Sequence, residues 1–297
     1  MMSILDLSNL TKRFGNQTAL HNVNLSLSAG ERVALLGHNG AGKSTMMKLI
    51  LGLIPCTSGH ISIDGHAPGS AAARAITAYL PENVAFHPAL TGREQIRHFL
   101  RLRGRAASEA DLLLEKVGLA EAAKRRIGTY SKGMRQRVGL AQALIGNPRL
   151  MILDEPTSGL DPVSRHEFYT LLDDLASHGT AILMSSHALS EIELRADSIT
   201  ILSKGHKVAQ GTLESLRAQA ALPLTVHLYP HQHCQAQVAV AFPEAQNVDG
   251  ILTLTCAPDA KLDILTRITA VRDTLQDFDF QPASLDDVYV QFSRRTA

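Results

Sequence analysis

Nine consecutive residues, Gly37-His38-Asn39-Gly40-Ala41-Gly42-Lys43-Ser44-Thr45, combine glycines, a lysine and two hydroxyls directly behind the apolar run Val33–Leu36. Glycines let the backbone curl until successive N–H groups point inward, a concavity suited to phosphate oxygens. A helix opening at Lys43 adds the partial positive charge of its N-terminus at the same place. In that setting the Lys43 ammonium reaches β- and γ-phosphates, and the Ser44 hydroxyl is a ligand for Mg2+. Strand, glycine loop and helix in this order are the context a phosphate-binding loop requires.

A cation held between phosphates needs a second anchor from the opposite side. The apolar run Leu150-Met151-Ile152-Leu153 leads into Asp154-Glu155, carrying two carboxylates to the end of a buried strand. Asp154 fits the acid associated with Mg2+. Glu155, one residue further, fits the group that polarises the water attacking the γ-phosphate. Together the two elements specify a P-loop NTPase and leave a small-molecule kinase or a GTPase open.

Between them lies Tyr130-Ser131-Lys132-Gly133-Met134-Arg135-Gln136-Arg137. Here the chain resembles the ABC ATPases, whose signature sequence opens a helix shortly before the second acidic strand. The resemblance implies that Ser131 and the Gly133 backbone contact the γ-phosphate held by a second copy, which is anion binding at a helix start used across a dimer interface. Lys132 and Met134 depart from the commonest family pattern, so no role is carried over to their side chains. Ser158-Gly159-Leu160-Asp161 looks like the loop that links the two sites, which places Asp161 at the interface. His187, after the apolar run Ala181–Ser185, looks like the switch histidine that senses the γ-phosphate. Phe14 looks like the aromatic that stacks on adenine. In Leu80-Pro81-Glu82-Asn83 the chain has Glu82 where the family usually has glutamine. Its oxygen remains a candidate ligand for Mg2+ or water, with a negative charge added. The resemblance implies ATP and Mg2+ as cofactors, a second copy as partner, and a separate membrane permease driven from a groove on a helical insert.

Positioning these groups takes alternating strands and helices. In residues 1–220, strands are expected at 3–9, 22–28, 32–36, 60–63, 76–80, 149–154, 180–185, 198–203 and 206–210, and helices at 43–52, 92–104, 108–117, 132–146, 162–177 and 188–194. Thr91-x-x-Glu94 and Ser108-x-x-Asp111 read as capping boxes, and Asp161-Pro162 as a cap before a proline at the first helical position. The alternation implies an α/β P-loop fold of the ABC type, a largely parallel sheet with helices on both faces. Residues 88–130, without a convincing strand, form a helical subdomain. After Ala220-Ala221-Leu222-Pro223, residues 223–297 read as strand 224–229, helix 232–241, strands 245–248 and 251–256, helix 259–274, strand 277–281 and a last helix 284–293. That βαββαβ order predicts a small ferredoxin-like accessory domain. Ser284-x-x-Asp287 caps the last helix, whose Leu285, Val288, Tyr289 and Phe292 form one apolar stripe.

Composition bounds the setting. The chain has 297 residues, of which 45% are hydrophobic and 19% charged, values ordinary for a globular protein. A net charge of +1 gives no overall basic field for nucleic acid. Cys56, Cys234 and Cys256 are far apart, which fits a reducing compartment rather than a disulfide framework. No secretory signal and no apolar run of about 20 residues is present, so the chain is expected on the cytoplasmic face of a membrane it does not itself cross.

A narrower resemblance rests on Tyr79-Leu80-Pro81-Glu82-Asn83-Val84-Ala85-Phe86, Leu90-Thr91-Gly92-Arg93-Glu94 and Arg97-His98-Phe99, taken with Gly37–Gly40 and Thr129–Arg137. These stretches are similar to ABC ATPases of the NosDFY type, which serve copper-site maturation of periplasmic nitrous oxide reductase. The implied partners are a NosY-like permease and, through it, a NosD-like periplasmic protein. An exporter of drugs, lipids or polysaccharide stays open, since Gln281–Tyr289 also resembles the end of exporter-type members. A non-transport ABC ATPase stands as the alternative from another class, although such proteins carry long coiled coils or two cassettes. His231-Gln232-His233-Cys234 sets two imidazoles and a thiol within four residues, all good copper ligands. The ordinary reading of that run is a solvated helix start.

Overall fold

The computed structural model describes residues 3–186 and 189–294. The chain divides into two compact units between Gln210 and Gly211. The division precedes the boundary expected near Ala220, because a helix over 213–220 packs against the last helix of the chain.

The first unit runs β1 (Ser3–Phe14), β2 (Gln17–Ser28), β3 (Arg32–Leu36), α1 (Lys43–Ile50), β4 (Ser58–Ile63), α2 (Ala71–Ile76), β5 (Thr77–Leu80), α3 (Gly92–Leu102), α4 (Ala110–Lys116), α5 (Lys132–Ala143), β6 (Leu150–Asp154), α6 (Pro162–Ser177), β7 (Ala181–Ser185), α7 (Leu189–Glu193), β8 (Ser198–Ser203) and β9 (His206–Gly211). Among the described residues a six-stranded sheet has the order β5-β6-β7-β3-β8-β9 and is parallel from β5 through β8. Its central strands are apolar along their length because both faces are covered. On β6, Leu150 and Ile152 point into one core while Met151 and Leu153 point into the other.

One of those faces differs from expectation. Besides α1 it carries a separate antiparallel sheet of order β2-β1-β4. β1 and β2 are each longer than the apolar pattern suggested and meet at a two-residue turn, Gly15-Asn16, with Phe14 opposite Gln17. Polar residues such as Lys12, Arg13 and Thr18 on this hairpin hid it from a reading of hydrophobic runs. The opposite face carries the helical insert, in which α3 and α4 pack on α5.

Two of the three expected caps in this unit form. Thr91 and Glu94 make a reciprocal capping box on α3, and Asp161 accepts the Ser164 N–H at the start of α6, with Pro162 at the first helical position. The box expected at Ser108 does not form. A 3-10 turn occupies Ala107–Glu109, and Asp111 pairs with Arg93 at 2.6 Å instead of reaching back to the cap.

The second unit runs α8 (Leu213–Ala220), β10 (Leu224–Pro230), α9 (Gln235–Ala241), β11 (Gln246–Val248), β12 (Ile251–Cys256), α10 (Lys261–Ala270), β13 (Leu275–Gln281) and α11 (Leu285–Arg294). Its antiparallel sheet has the order β11-β12-β10-β13, and β10 through β13 follow the βαββαβ sequence of a ferredoxin-like sandwich. Val226, Leu228, Leu252 and Leu254 from the sheet meet Val238, Phe242, Ile264 and Ile268 from the helices. Ser284 and Asp287 cap α11 reciprocally, and Leu285, Val288 and Phe292 form its buried side.

Candidate functional site

The glycine loop lies between the end of β3 and the start of α1. Gly42 has φ 111°, and a Cβ there would sit 2.7 Å from Leu20 Cδ2 and 2.8 Å from the Ala19 carbonyl, so the position accepts only glycine. Gly42 precedes α1 without any side-chain cap, which leaves the first N–H groups of the helix for an anion. Two backbone bonds hold the loop's curl, Ala41 N–H to His38 O at 3.0 Å and Gly205 N–H to Ala41 O at 3.0 Å. Lys43 is buried, and its ammonium donates to the Gly37 carbonyl and, at 3.5 Å, to that of His38. Burial lowers its pKa, while Glu155 and Asp154 work in the other direction.

The two acids sit at the end of β6. The Ser185 hydroxyl, from the neighbouring strand β7, donates to Asp154 Oδ1 at 2.7 Å and accepts the Glu155 N–H at 3.0 Å. Glu155 takes a left-handed conformation, φ 47°, uncommon for a residue with a side chain, as the chain turns out of the strand. Tyr79 on β5 has its phenol pKa raised, first by burial and then by the Asp154 charge.

A cleft of about 640 Å³ gathers Phe14, His38, Asn39, Gly40, Gly42, Lys43, Ser44, Thr45, Glu82, Asp154 and Glu155. Gly37 and Ala41 are buried in the loop behind it. Phe14 is half-exposed at the tip of β1, with the Lys12 ammonium 4.8 Å from its ring centroid. Gln17, Thr18, Ala19, Lys204 and Gly205 complete the lining. Sequence reasoning missed these five, although the turn signal Lys204-Gly205 after an apolar strand was legible. Ser44, Glu82 and Asp154 offer hard oxygens to the cleft, the donor type Mg2+ takes. Among the described residues no three His, Cys, Asp or Glu side chains are grouped to hold a metal alone. A cation here would take most of its ligands from phosphates and water.

Ser131, Gly133 and Asp161 are not in this cleft. Ser131 is exposed and caps α5 by accepting the Met134 N–H at 3.2 Å. A Cβ on Gly133 would lie 3.3 Å from Leu160 Cδ2 and 3.8 Å from Ser131 Oγ, so the start of α5 packs on the 158–161 loop. Lys132 Nζ donates to Ser158 Oγ at 3.5 Å. These residues form a second cluster on the surface of the same unit. Hydrogen bonds from Ser164 hold the exposed Asp161 carboxyl below the usual carboxylate range. His187 lies outside the described residues.

In the second unit, His231, Gln232 and His233 are exposed ahead of α9, where the Cys234 N–H reaches the His231 carbonyl at 2.8 Å. The run is a turn rather than a ligand cluster. Among the described residues no helix is long and apolar enough to cross a membrane.

A family model described as "ABC transporter" matches residues 20–158, the stretch holding the glycine loop, α5 and the two acids. An uncharacterized ABC transporter ATP-binding protein of Bacillus subtilis, YdbJ, is 34% identical over 97% of this chain and 94% of its own length. The Nod factor export ATP-binding protein I of Burkholderia lata is 33% identical over 98% of this chain and 97% of its own. An ATP-binding cassette whose dimeric, post-hydrolysis structure holds ADP and phosphate is 27% identical, covering 70% of this chain and 98% of its own, with a TM-score of 0.63. The chain therefore belongs to the ATP-binding proteins of ABC transporters.

Proposed function

We propose that this chain is the ATP-hydrolysing subunit of an exporter-type ABC transporter, working as a head-to-tail pair on the cytoplasmic face of a separate membrane permease. The observation that carries this reading is the division of the site. Lys43, Ser44, Glu82, Asp154 and Glu155 line one cleft, while the exposed Ser131 and the half-buried Gly133 lie elsewhere on the same unit. Two copies arranged head to tail would let each α5 start face the other's phosphate loop and close both sites at once. The dimeric relative bound to ADP and phosphate supports this arrangement, and the Nod factor export relative, alike along nearly the whole chain, supports the exporter type.

ATP would seat its phosphates on the free N–H groups of α1 and stack its base on Phe14. Lys43 would exchange the two loop carbonyls for phosphate oxygens, trading neutral partners for charged ones. Ser44, Glu82 and Asp154 would hold Mg2+, which when bound would draw charge from the β- and γ-phosphate oxygens. Glu155 would orient and polarise the attacking water, and His187 would report on the γ-phosphate.

The permease would dock in a groove of about 520 Å³ whose lining includes Leu51, Leu53, Arg74, Tyr79 and Arg103. Leu53 is 65% exposed there, a large apolar side chain left open to water. Tyr79 leads along β5 into Glu82, so one short segment joins groove and cleft. A Cβ on Gly139 would lie 2.7 Å from Leu80 Cδ1 and 2.8 Å from Val84 Cγ1, so the helix that opens at Ser131 is locked to that segment. Affinity capture from native membranes tests the assignment. A polytopic membrane protein should accompany the wild type and be lost with Leu53→Glu while ATP turnover by the isolated subunit persists. Capture of no membrane protein by either would remove the transporter role.

A second reading is service to copper-site maturation of nitrous oxide reductase, with NosY-like and NosD-like partners. Its support is the run Tyr79–Phe86 with Leu90–Phe99, whereas the relatives named above bring no copper function. Nitrous oxide reductase from a host carrying only Glu155→Gln decides it. Copper-deficient enzyme supports the reading, and fully loaded enzyme ends it. The second unit, matched by full-length exporter relatives, is proposed as an accessory domain.

A further inference from the structure

One carboxylate ties together three segments beside the second cluster. Glu191 on α7 accepts hydrogen bonds from Arg165 Nη1 and from the Tyr169 hydroxyl at 3.2 Å, both on α6, and a long one from Thr157 Oγ1 at 3.5 Å. The same guanidinium donates its Nη2 to the Leu160 carbonyl at 3.1 Å. Upstream, Leu160 N–H bonds Thr157 O at 3.1 Å and Ser158 N–H bonds Glu155 O at 3.2 Å. A continuous series of bonds therefore runs from Glu155 along its own loop to Arg165 and Glu191.

The series is shielded. Thr157 is 5% exposed, Tyr169 3% and the Glu191 side chain 16%. Burial pushes the Tyr169 phenol up to about 12, so it remains a donor at any ordinary pH. Stability alone explains little of this, because the Arg165 side chain is 35% exposed and an ion pair so open to water contributes little. What the pair supplies is geometry. A guanidinium fork holds a carboxylate and a carbonyl in one fixed plane, a geometry that the rotatable donors of an ammonium do not set.

We propose that Glu191 and Arg165 are a positioning pair that fixes loop 155–161 for both hydrolysis and dimer closure. The proposal rests on the reading above that Glu155 acts on the attacking water and that the loop reaches the second copy. α7 begins at Leu189, so the same pair joins that helix to the loop.

The test uses the full chain and three variants, Glu191→Gln, Arg165→Lys and Tyr169→Phe. Glu191→Gln and Arg165→Lys should each lower kcat at least about tenfold with KM for ATP within about twofold, the split expected when a reacting group is misplaced and nucleotide binding is not. The double variant should be no slower than the worse single, because both act through one contact. Each should also reduce the ATP-trapped dimer formed in a Glu155→Gln background, while fluorescent-nucleotide affinity and Tm stay close to the parent. Tyr169→Phe removes one hydrogen bond and no charge, and should give a smaller kcat loss of the same kind. Wild-type kcat in Arg165→Lys, or losses of kcat, affinity and Tm in proportion across all three, would overturn the pair's positioning role. Absence of a trapped dimer in Glu155→Gln itself would count against the two-copy reading, and the kcat and KM arms would still judge the pair.

Discussion

The Ser185 hydroxyl and the Asp154 carboxylate are bonded at 2.7 Å, and the same hydroxyl accepts the Glu155 N–H at 3.0 Å. One side chain at the end of β7 thus sets the direction of Asp154, proposed to hold the metal, and the backbone turn of Glu155, proposed to act on the water. Ser185 is fully buried. Replacing it with alanine removes the acceptor of the Glu155 N–H and frees the carboxylate to rotate. Ser185→Ala should lower stability by about 2 kcal/mol, a Tm shift of about 4–8 °C, with kcat down about tenfold. Calorimetry and phosphate release at saturating Mg-ATP check both parts. Unchanged kcat with lowered Tm would show that the hydroxyl only supports the fold.

Lys43, proposed to hold the phosphates, carries a stability cost. Its pKa is lowered in the folded state from the ordinary lysine value, chiefly by burial. The folded chain therefore binds this proton less tightly than the unfolded chain does, and stability rises with pH between the lowered value and about 10.5. At neutral pH the buried ammonium opposes folding. Lys43→Met should abolish measurable ATP turnover and leave Tm equal or higher, the trade-off expected where an active site stores strain. A Tm fall of several degrees would mean that the bonds to Gly37 and His38 outweigh the burial cost.

Phe14 presents its half-exposed ring at the cleft. Phe14→Ala should raise KM for ATP about tenfold, the loss of about 1–1.5 kcal/mol of base stacking, and leave kcat within about twofold. Phe14→Tyr should match the parent. Steady-state kinetics distinguish this from a general loss of structure, which would lower kcat as well.

Glu82 places a carboxylate in the cleft. If its carboxylate helps hold the cation, Glu82→Gln should raise the Mg2+ concentration for half-maximal rate about fivefold, equivalent to about 1 kcal/mol of charge attraction. A Mg2+ titration of the ATPase rate measures this directly. An unchanged midpoint would assign Glu82 to coupling with the permease groove alone.

Much of this arrangement was legible in the sequence because its strongest signals are local. Glycine spacing before Lys43 follows from the turn the loop must make, and Leu150–Glu155 announces a buried strand ending in acids. The βαββαβ order of the second unit was readable from period and turn residues. What escaped depends on contacts distant in sequence. Ser185 is one serine among many until β7 lies beside β6, and the Glu191–Arg165 pair joins residues whose positions carry no spacing rule. α2 and α8 escaped because they are short, with an Ala-rich and weakly patterned composition. The Ser108 capping box failed because Arg93, remote in sequence, takes Asp111.

In the proposed pair, each chain holds half of each ATP site. Glu155→Gln should bind ATP with near-parental affinity and stop before hydrolysis, so the closed pair accumulates. Light scattering coupled to gel filtration, with and without Mg-ATP, reads the mass directly. A monomer is expected without nucleotide and a stable dimer with it, the dimer lost again when Ser131→Arg is added. A monomer at saturating ATP, with nucleotide bound, would contradict it.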